Sequence, residues 1–255
     1  GFIGLEVAAT ARLRGLEVTV VQNTDRLMSR VVAEPVSAFI HTQHRAAGID
    51  VVLNTSVTGF TGVDGRVTST ELSDGRSLPS DLVVVGVGAR PVTALAQQIG
   101  LSCDGGIIVD AHAQTSHPAV VAAGDCTVQP HPNALDQLIP IESVNNATEQ
   151  GKTAAHTLMG SPPHVRGVPW FWSNQGATKI QIAGISDGYD DVVVRADGLD
   201  RLTALYYREG RLIAADSVNN PRDHMAVKRA LAADKSIDPT RAGDPSVPLK
   251  TLITE

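Results

Sequence analysis

The period of the apolar positions changes several times along the chain, and each change marks an element. Residues 1–15 carry small and apolar side chains at helical spacing and stop at Gly15, which predicts a helix. The next stretch, 16–21, is β-branched and predicts a buried strand, arriving at the spacing a βαβ unit requires. Residues 31–47 return to helical spacing and close at Gly48, with 49–52 as the following strand. His41 and His44 lie one turn apart on that helix and read as part of a solvated face. From 57 to 78 apolar and polar residues alternate around Asp64-Gly65 and Asp74-Gly75, the pattern of a small antiparallel meander. Residues 81–88 read as one more buried strand, 93–100 as a short helix, and 106–110 as a return strand. The five apolar residues 119–123 predict a fully buried parallel strand. A helix opens within 141–152 and runs to Met159, with an acid expected in its first turn. Beyond residue 165 the alternating runs 179–185, 191–195, 202–208 and 212–218, with one helix after Pro221, predict a compact α+β domain.

Composition narrows the class. At 255 residues, 42% hydrophobic and 19% charged, the chain has the profile of a soluble globular protein with room for more than one domain. Its longest uncharged apolar run, 82–89, is far short of the ~20 residues of a membrane helix, so no membrane span is expected. Cys103 and Cys126 form neither a CxxC pair nor an even framework, which points to a reducing, cytoplasmic setting and away from dithiol chemistry. A net charge of -6 argues against nucleic acid as a partner. The eight histidines show no metal-ligand spacing, and no metal is expected. The chain opens on Gly1 and enters a helix with no strand before it, so an amino-terminal part is expected to be missing.

Several residues carry candidate chemistry. Gly1 and Gly4 read as the second half of a G-x-G-x-x-G turn, whose helix amino terminus would seat a pyrophosphate. Gly4, Ala8 and Ala11 let that helix lie close to a sheet. An acid is expected where the following strand closes, to grip an adenosine 2′-OH, but the residue is Gln22. Glutamine accepts a hydrogen bond without repelling a 2′-phosphate, and Arg26 lies nearby, so the choice between NADH and NADPH stays open at these residues. Gly86 and Gly88, in Gly-Val-Gly-Ala-Arg-Pro, would let the backbone approach the dinucleotide; a plain linker is the other reading. Gly124 would turn the chain tightly enough to aim Asp125 at a ligand's sugar. Trp170 and Trp172 fall on one face by alternation.

The run Thr-Ser-His-Pro-x-hydrophobic-hydrophobic-Ala-Ala-Gly-Asp, ending at Asp125, resembles the second FAD-binding motif of flavoproteins with two dinucleotide-binding domains. Together with Gly-Phe-Ile-Gly-Leu-Glu, Asp-Arg-Leu-Met-Ser-Arg, Glu-Ser-Val-x-Asn-Ala, Pro-Trp-Phe-Trp-Ser-x-Gln and Val-Asn-x-Pro-Arg, it makes the whole chain resemble a known family. These are the NADH-dependent, FAD-containing ferredoxin reductases of bacterial ring-hydroxylating dioxygenases and monooxygenases, those of biphenyl dioxygenase systems in particular. Rubredoxin reductases and apoptosis-inducing factor are related to them. The resemblance implies an α/β fold with a Rossmann-like NAD domain and β-meander (1–88), the second segment of an FAD domain (89–165) and a small α+β carboxyl-terminal domain (166–255). It implies that Asp125 holds the FAD ribityl chain, that Glu142, Ser143 and Val144 lie by the nicotinamide and flavin, that Trp172 sits beside the isoalloxazine, and that Gly4 and Glu6 belong to the NAD site.

By the same resemblance no side chain acts as nucleophile or acid: hydride passes from NADH to FAD, and electrons leave singly to a [2Fe-2S] ferredoxin or a rubredoxin that serves an oxygenase. Arg222, Lys228 and Arg229 would dock that acidic partner, a solvated helix flank being the other reading. The sequence departs from the family at Gln22, at Asn174, where Asp is usual, and in lacking the amino-terminal FAD segment. The alternative function is a non-catalytic NAD(H)- or flavin-binding interaction module resembling apoptosis-inducing factor. A disulfide reductase is disfavoured by the missing dithiol.

Overall fold

The computed structural model describes residues 1–131, 137–162 and 164–255. It forms two compact units, one of residues 1–88, 173–180 and 197–202, the other of residues 89–172, 181–196 and 203–255.

The first unit opens with helix α1 (Phe2–Leu13), capped by Gly1 and buried through Leu5, Ala8 and Ala9. Strand β1 (Thr19–Val21), helix α2 (Glu34–Ala46) and strand β2 (Asp50–Val52) follow, with Pro35 in the first turn of α2. The two strands pair in parallel, Thr19 opposite Asp50 and Val21 opposite Val52, so this is a βαβ crossover. Ala8, Ala9 and Ile49 form its small core, with Val18, Val20 and Val51 packed on them. Small side chains on α1 are what let helix and strands approach closely.

Strands β3 (Val57–Val63), β4 (Arg66–Leu72) and β5 (Ser77–Pro79) make the expected antiparallel meander. Asp64 at φ 53° and Gly65 at φ 75° supply the two positive dihedrals that a two-residue hairpin of right-handed twist demands.

Three expectations for this unit are corrected. The strand read over 16–21 shortens to Thr19–Val21 and is only half-buried. Residues 81–88 are not a strand: among the described residues nothing pairs with them, and Leu82, Val84, Val85 and Val87 are exposed. Extended backbone becomes a stable strand only when a neighbour takes its N–H and C=O groups. His44 is buried rather than solvated, because it shares the inward stripe of Val36, Ser37 and Ile40; its Nδ1 lies 3.0 Å from the Ile40 carbonyl, and burial lowers its pKa.

The second unit begins with α3 (Ala94–Gln98). Strand β6 (Ile107–Ile108) runs parallel to β7 (Thr127–Pro130), which pairs antiparallel with β8 (Leu138–Ile139). Helix α4 (Val144–Leu158) follows. The parallel strand read over 119–123 does not form: Val121 makes a single antiparallel bridge to Gln114, and Ala119 is exposed. The reason is again the lack of a ladder partner among the described residues.

Strands β9 (Trp170–Gln175), β10 (Thr178–Gly184), β11 (Asp191–Asp197), β12 (Arg201–Arg208) and β13 (Arg211–Val218) form one sheet in the order β11-β12-β13-β10-β9. The inner strands β12 and β13 are buried at successive positions, on both faces, where the sequence suggested alternation. Helix α5 (Pro221–Ala232), strand β14 (Ser236–Ile237), helix α6 (Pro239–Ala242) and strand β15 (Ile253–Thr254) complete the chain. Leu205, Tyr207, Leu212, Val227, Ala230, Ile237, Leu249 and Leu252 form the core here.

A buried ion pair ties that end of the chain together. Arg195 Nε meets Asp223 at 3.0 Å, and its other nitrogens donate to the carbonyls of Ala242 (3.0 Å), Val247 (3.0 Å) and Pro245 (3.3 Å). Among the described residues no helix is long and apolar enough to cross a membrane, and no group of three His, Cys, Asp or Glu side chains could hold a metal ion.

Two stability predictions follow from this core. Gly184 sits at φ +81°, and a Cβ there would lie 2.2 Å from the Ile213 carbonyl oxygen. Gly184→Ala should therefore lower the unfolding free energy by about 2–4 kcal/mol, measurable by denaturant titration; a change under about 0.5 kcal/mol would contradict the contact. Asp216, wholly buried in β13, accepts a hydrogen bond from the Tyr206 hydroxyl, and burial pushes its carboxyl up to about 7 against the smaller downward pull of that bond. A carboxyl raised above its unfolded value contributes stability that is complete below the unfolded pKa and lost as pH rises through about 7. Asp216→Asn, which does not ionise, should flatten the decline in melting temperature between about pH 4 and about pH 7; an unaltered decline would refute this.

Candidate functional site

In the second unit the Gly124–Asp125 turn is built against helix α4. Gly124 adopts φ +90°, and a Cβ there would lie 3.6 Å from the Cβ of Ala147. Its N–H donates to Gln150 Oε1 at 2.7 Å, while its carbonyl accepts from the N–H and hydroxyl of Thr127 at 3.0 and 2.8 Å. Asp125 is exposed on this fixed turn.

Ser143 caps α4: its side-chain oxygen accepts from Asn146 N–H at 3.0 Å. Val144 opens the helix and is exposed, and Glu142, also exposed, precedes the cap. The expected acid is therefore outside the first turn, which holds no acidic residue. No acidic side chain of that turn offsets the positive end of the helix dipole, beside which Val144 is exposed.

Trp170 and Trp172 share a face as alternation requires, with ring centroids 5.2 Å apart. Trp170 N–H donates to Asn145 Oδ1 at 3.3 Å, so the start of β9 is tied to the first turn of α4. Lys228 Nζ lies 4.5 Å from the Trp170 ring centroid, a cation–π contact that occupies one of the basic residues considered for docking. Arg222 and Arg229 are exposed on α5, with exposed Met225 between them. The segment leading into β9 is held by polar groups. His164 and Lys152 each meet Glu149 at 2.8 Å, and the Lys152 hydrogen bond, then that of His164, holds the Glu149 carboxyl at about 2. Arg166 donates to Gln129, to the Ala111 carbonyl (3.1 Å) and to Thr153 (3.2 Å).

In the first unit Gly1 caps α1 and Gly4 lies in its first turn. A Cβ on Gly86 would come within 3.5 Å of the Gly4 backbone, so segment 81–88 passes against the start of α1; Gly88 adopts φ +105°. Gln22 donates through Nε2 to Thr24 (2.8 Å) and Asn23 (3.2 Å), leaving its carbonyl oxygen as the acceptor it can offer. Arg26 is committed within its own loop, donating to the carbonyls of Val32 and Ser29 at 2.8 Å each. Glu6 Oε1 accepts from the Ser173 hydroxyl at 2.7 Å and from Asn174 N–H at 3.1 Å.

Sequence reasoning passed over Asn145, Gln150 and Arg166, and it met Asn146 only as a member of the Glu-Ser-Val-x-Asn-Ala motif, with no role assigned. The available signal was the spacing of Asn146, Gln150 and Thr153, one stripe of α4 that is polar yet buried.

The sequence matches the family described as pyridine nucleotide-disulphide oxidoreductase over residues 1–151 and the reductase C-terminal family over residues 170–253. It is 41% identical to a ferredoxin--NAD(P)(+) reductase of Sphingomonas sp, covering 100% of this chain and 62% of the relative. It is 40% identical to putidaredoxin reductase of Pseudomonas putida, covering 99% and 60%. Among solved structures, a ferredoxin reductase from Rhodopseudomonas palustris superposes with a TM-score of 0.91 at 42% identity, over 100% of this chain and 63% of that one. The reductase in a covalent putidaredoxin reductase-putidaredoxin complex superposes at 0.93 and 40% identity, over 99% and 61%. The chain thus spans about three fifths of the length of these relatives. On these grounds the chain belongs to the pyridine nucleotide-disulphide oxidoreductase family and carries, after that match, a segment of the reductase C-terminal family.

Proposed function

We propose that the full-length protein carries electrons from NADH through FAD to a [2Fe-2S] ferredoxin that serves an oxygenase. The observation that carries this reading is the second unit's grouping of an exposed carboxylate on a pinned Gly-Asp turn, an open helix amino terminus and a tryptophan pair tied to that helix. These groups suit FAD. The turn lies against α4 with Gly124 held at a positive φ of +90° that a side chain would strain, and Asp125 is left exposed to bind a hydroxylated chain. Asp125 would hold the ribityl hydroxyls, the α4 terminus at Ser143 and Val144 would face developing negative charge, and Trp172 would wall the ring. Glu142 would lie at the nicotinamide end. Bound there, FAD supplies the conversion of a two-electron hydride donor into single electrons for an iron-sulfur acceptor.

For the nucleotide, the approach of Gly86 to Gly4 at the start of α1 supports a pyrophosphate seat, with Gly1 and Gly88 flanking it. Gln22 would accept the adenosine 2′-OH. Commitment of Arg26 to two loop carbonyls speaks for NADH over NADPH, since that guanidinium is taken up within its own loop. Residues 1–88 form the nucleotide-binding part in this reading, 89–165 the returning flavin segment, and 166–255 the carboxyl-terminal domain. The free cysteines Cys103 and Cys126 accord with a cytoplasmic setting. Ferredoxin is favoured over rubredoxin as acceptor, because relatives with named redox partners include putidaredoxin reductase and the anthranilate 1,2-dioxygenase reductase component.

Purified with FAD, the full-length protein should be yellow and be bleached by NADH. Asp125→Ala should weaken FAD binding by roughly tenfold or more, the worth of one charge-assisted hydrogen bond of ~1.5–3 kcal/mol; unchanged flavin occupancy after dialysis would remove Asp125 from the site.

The acceptor is proposed to dock on the exposed face of α5 through Arg222 and Arg229, with Lys228 contributing less because Trp170 holds it. Reversing Arg222 and Arg229 to Glu should slow ferredoxin reduction steeply at low ionic strength and leave NADH reduction of ferricyanide intact. A parallel loss of both activities, or no response to salt, would move the docking site elsewhere.

A further inference from the structure

We propose that Gln150 is the positioning residue of the Gly124–Asp125 turn: one buried side-chain oxygen fixes the Gly124 backbone and with it the direction of the Asp125 carboxylate. This rests on the flavin reading above. Gln150 lies in the second turn of α4 and is wholly buried. Its Oε1 accepts from Gly124 N–H at 2.7 Å, Thr127 hydroxyl at 3.0 Å and Asn146 Nδ2 at 3.2 Å. Its Nε2 is buried with no hydrogen-bond partner among the described residues. A glutamine that merely filled space would be a poor choice here, because an unmet buried donor is costly and an aliphatic side chain of similar size carries none. The cost is offset by what the oxygen holds.

What it holds is the backbone behind the exposed carboxylate. Gly124 N–H is bound by Gln150 and Gly124 C=O by the Thr127 backbone N–H, and the single Thr127 hydroxyl proton is shared between that carbonyl and Gln150 Oε1, so the peptide groups on both sides of Gly124 are fixed. Asp125 leaves that unit with no freedom to swing at the preceding residue. The same oxygen reaches the cap of α4 through Asn146, whose Nδ2 also donates to Ile141 C=O at 2.9 Å and whose backbone N–H is held by Ser143. Asn146 Oδ1 accepts from Gln129 at 3.2 Å, and Gln129 accepts in turn from Arg166. The turn and the helix amino terminus are therefore registered to each other through one acceptor.

The test is a double-mutant cycle on the full-length protein, read as the FAD dissociation constant from quenching of flavin fluorescence on titrating apoprotein. Gln150→Leu should raise that constant by about tenfold or more. Gln150→Glu, which keeps an oxygen acceptor for the same donors, should stay within about threefold of wild type. In an Asp125→Ala background, Gln150→Leu should add less than about twofold, because its effect acts through the carboxylate. An unchanged constant in Gln150→Leu, no rescue by Gln150→Glu, or penalties that multiply in full in the double variant would each overturn the proposal. If Gln150→Leu does not fold, Thr127→Val, which removes the hydroxyl shared by Gly124 C=O and Gln150 Oε1, replaces it in the cycle, with Thr127→Ser as the variant that should stay within about threefold of wild type. Should Asp125→Ala leave FAD binding untouched, the flavin reading itself falls and this proposal with it; should Asp125→Ala weaken binding and Gln150→Leu not, only this proposal falls.

Discussion

Gly124 stands at φ +90° with both of its peptide groups bonded to buried side chains, and much of the second unit takes its geometry from that restraint. The residue can occupy that conformation cheaply because it lacks a Cβ. It is held there because Gln150 and Thr127 would each lose a buried hydrogen bond if the turn relaxed. From Gln150 the restraint passes to Asn146, to the cap at Ser143 and, through Gln129, to Arg166 on the segment that leads to the tryptophans. The elements best suited to a flavin are thereby set by polar contacts inside a single unit, over short distances and without titrating groups at the key acceptor.

The carboxyl-terminal part is organised on a different principle. Its core is apolar, and Arg195 is threaded through it to satisfy three carbonyls and the Asp223 carboxylate. A buried charge of this kind is tolerated only because every side of it is met. Asn220 caps α5 and also donates to Asp223 at 2.7 Å, so the start of that helix is fixed at the same point. Fixing α5 also fixes Lys228 over Trp170, and so links the packing of this helix to the tryptophan pair.

In the first unit several polar residues that looked available for ligands have partners within the protein. Glu6 is used by Ser173 and Asn174, and Arg26 by two carbonyls of its own loop. In the proposed reading a nucleotide would meet backbone at the start of α1 and the oxygen of Gln22, groups that recognise phosphate and hydroxyl.

The sequence by itself determined what depends on near neighbours in the chain. The stripes of α1, α2, α4 and α5, the Asp64-Gly65 hairpin and the turn at Gly124 all appear where the pattern puts them, because helix and tight-turn stability comes from residues a few positions apart. The family motifs were legible for the same reason. Tertiary structure alone decided the rest. Residues 81–88 and 119–123 have strand composition, yet a strand exists only when distant backbone bonds to it, and composition carries no information about whether that neighbour is there. His44 lies on the stripe that packing turned inward. The partners of Glu6 lie 167 and 168 positions away, and Gln150 meets Gly124 across 26. A polar side chain is equally at home in water or against a buried donor, so only the folded chain, by bringing the donor to it, chose between them.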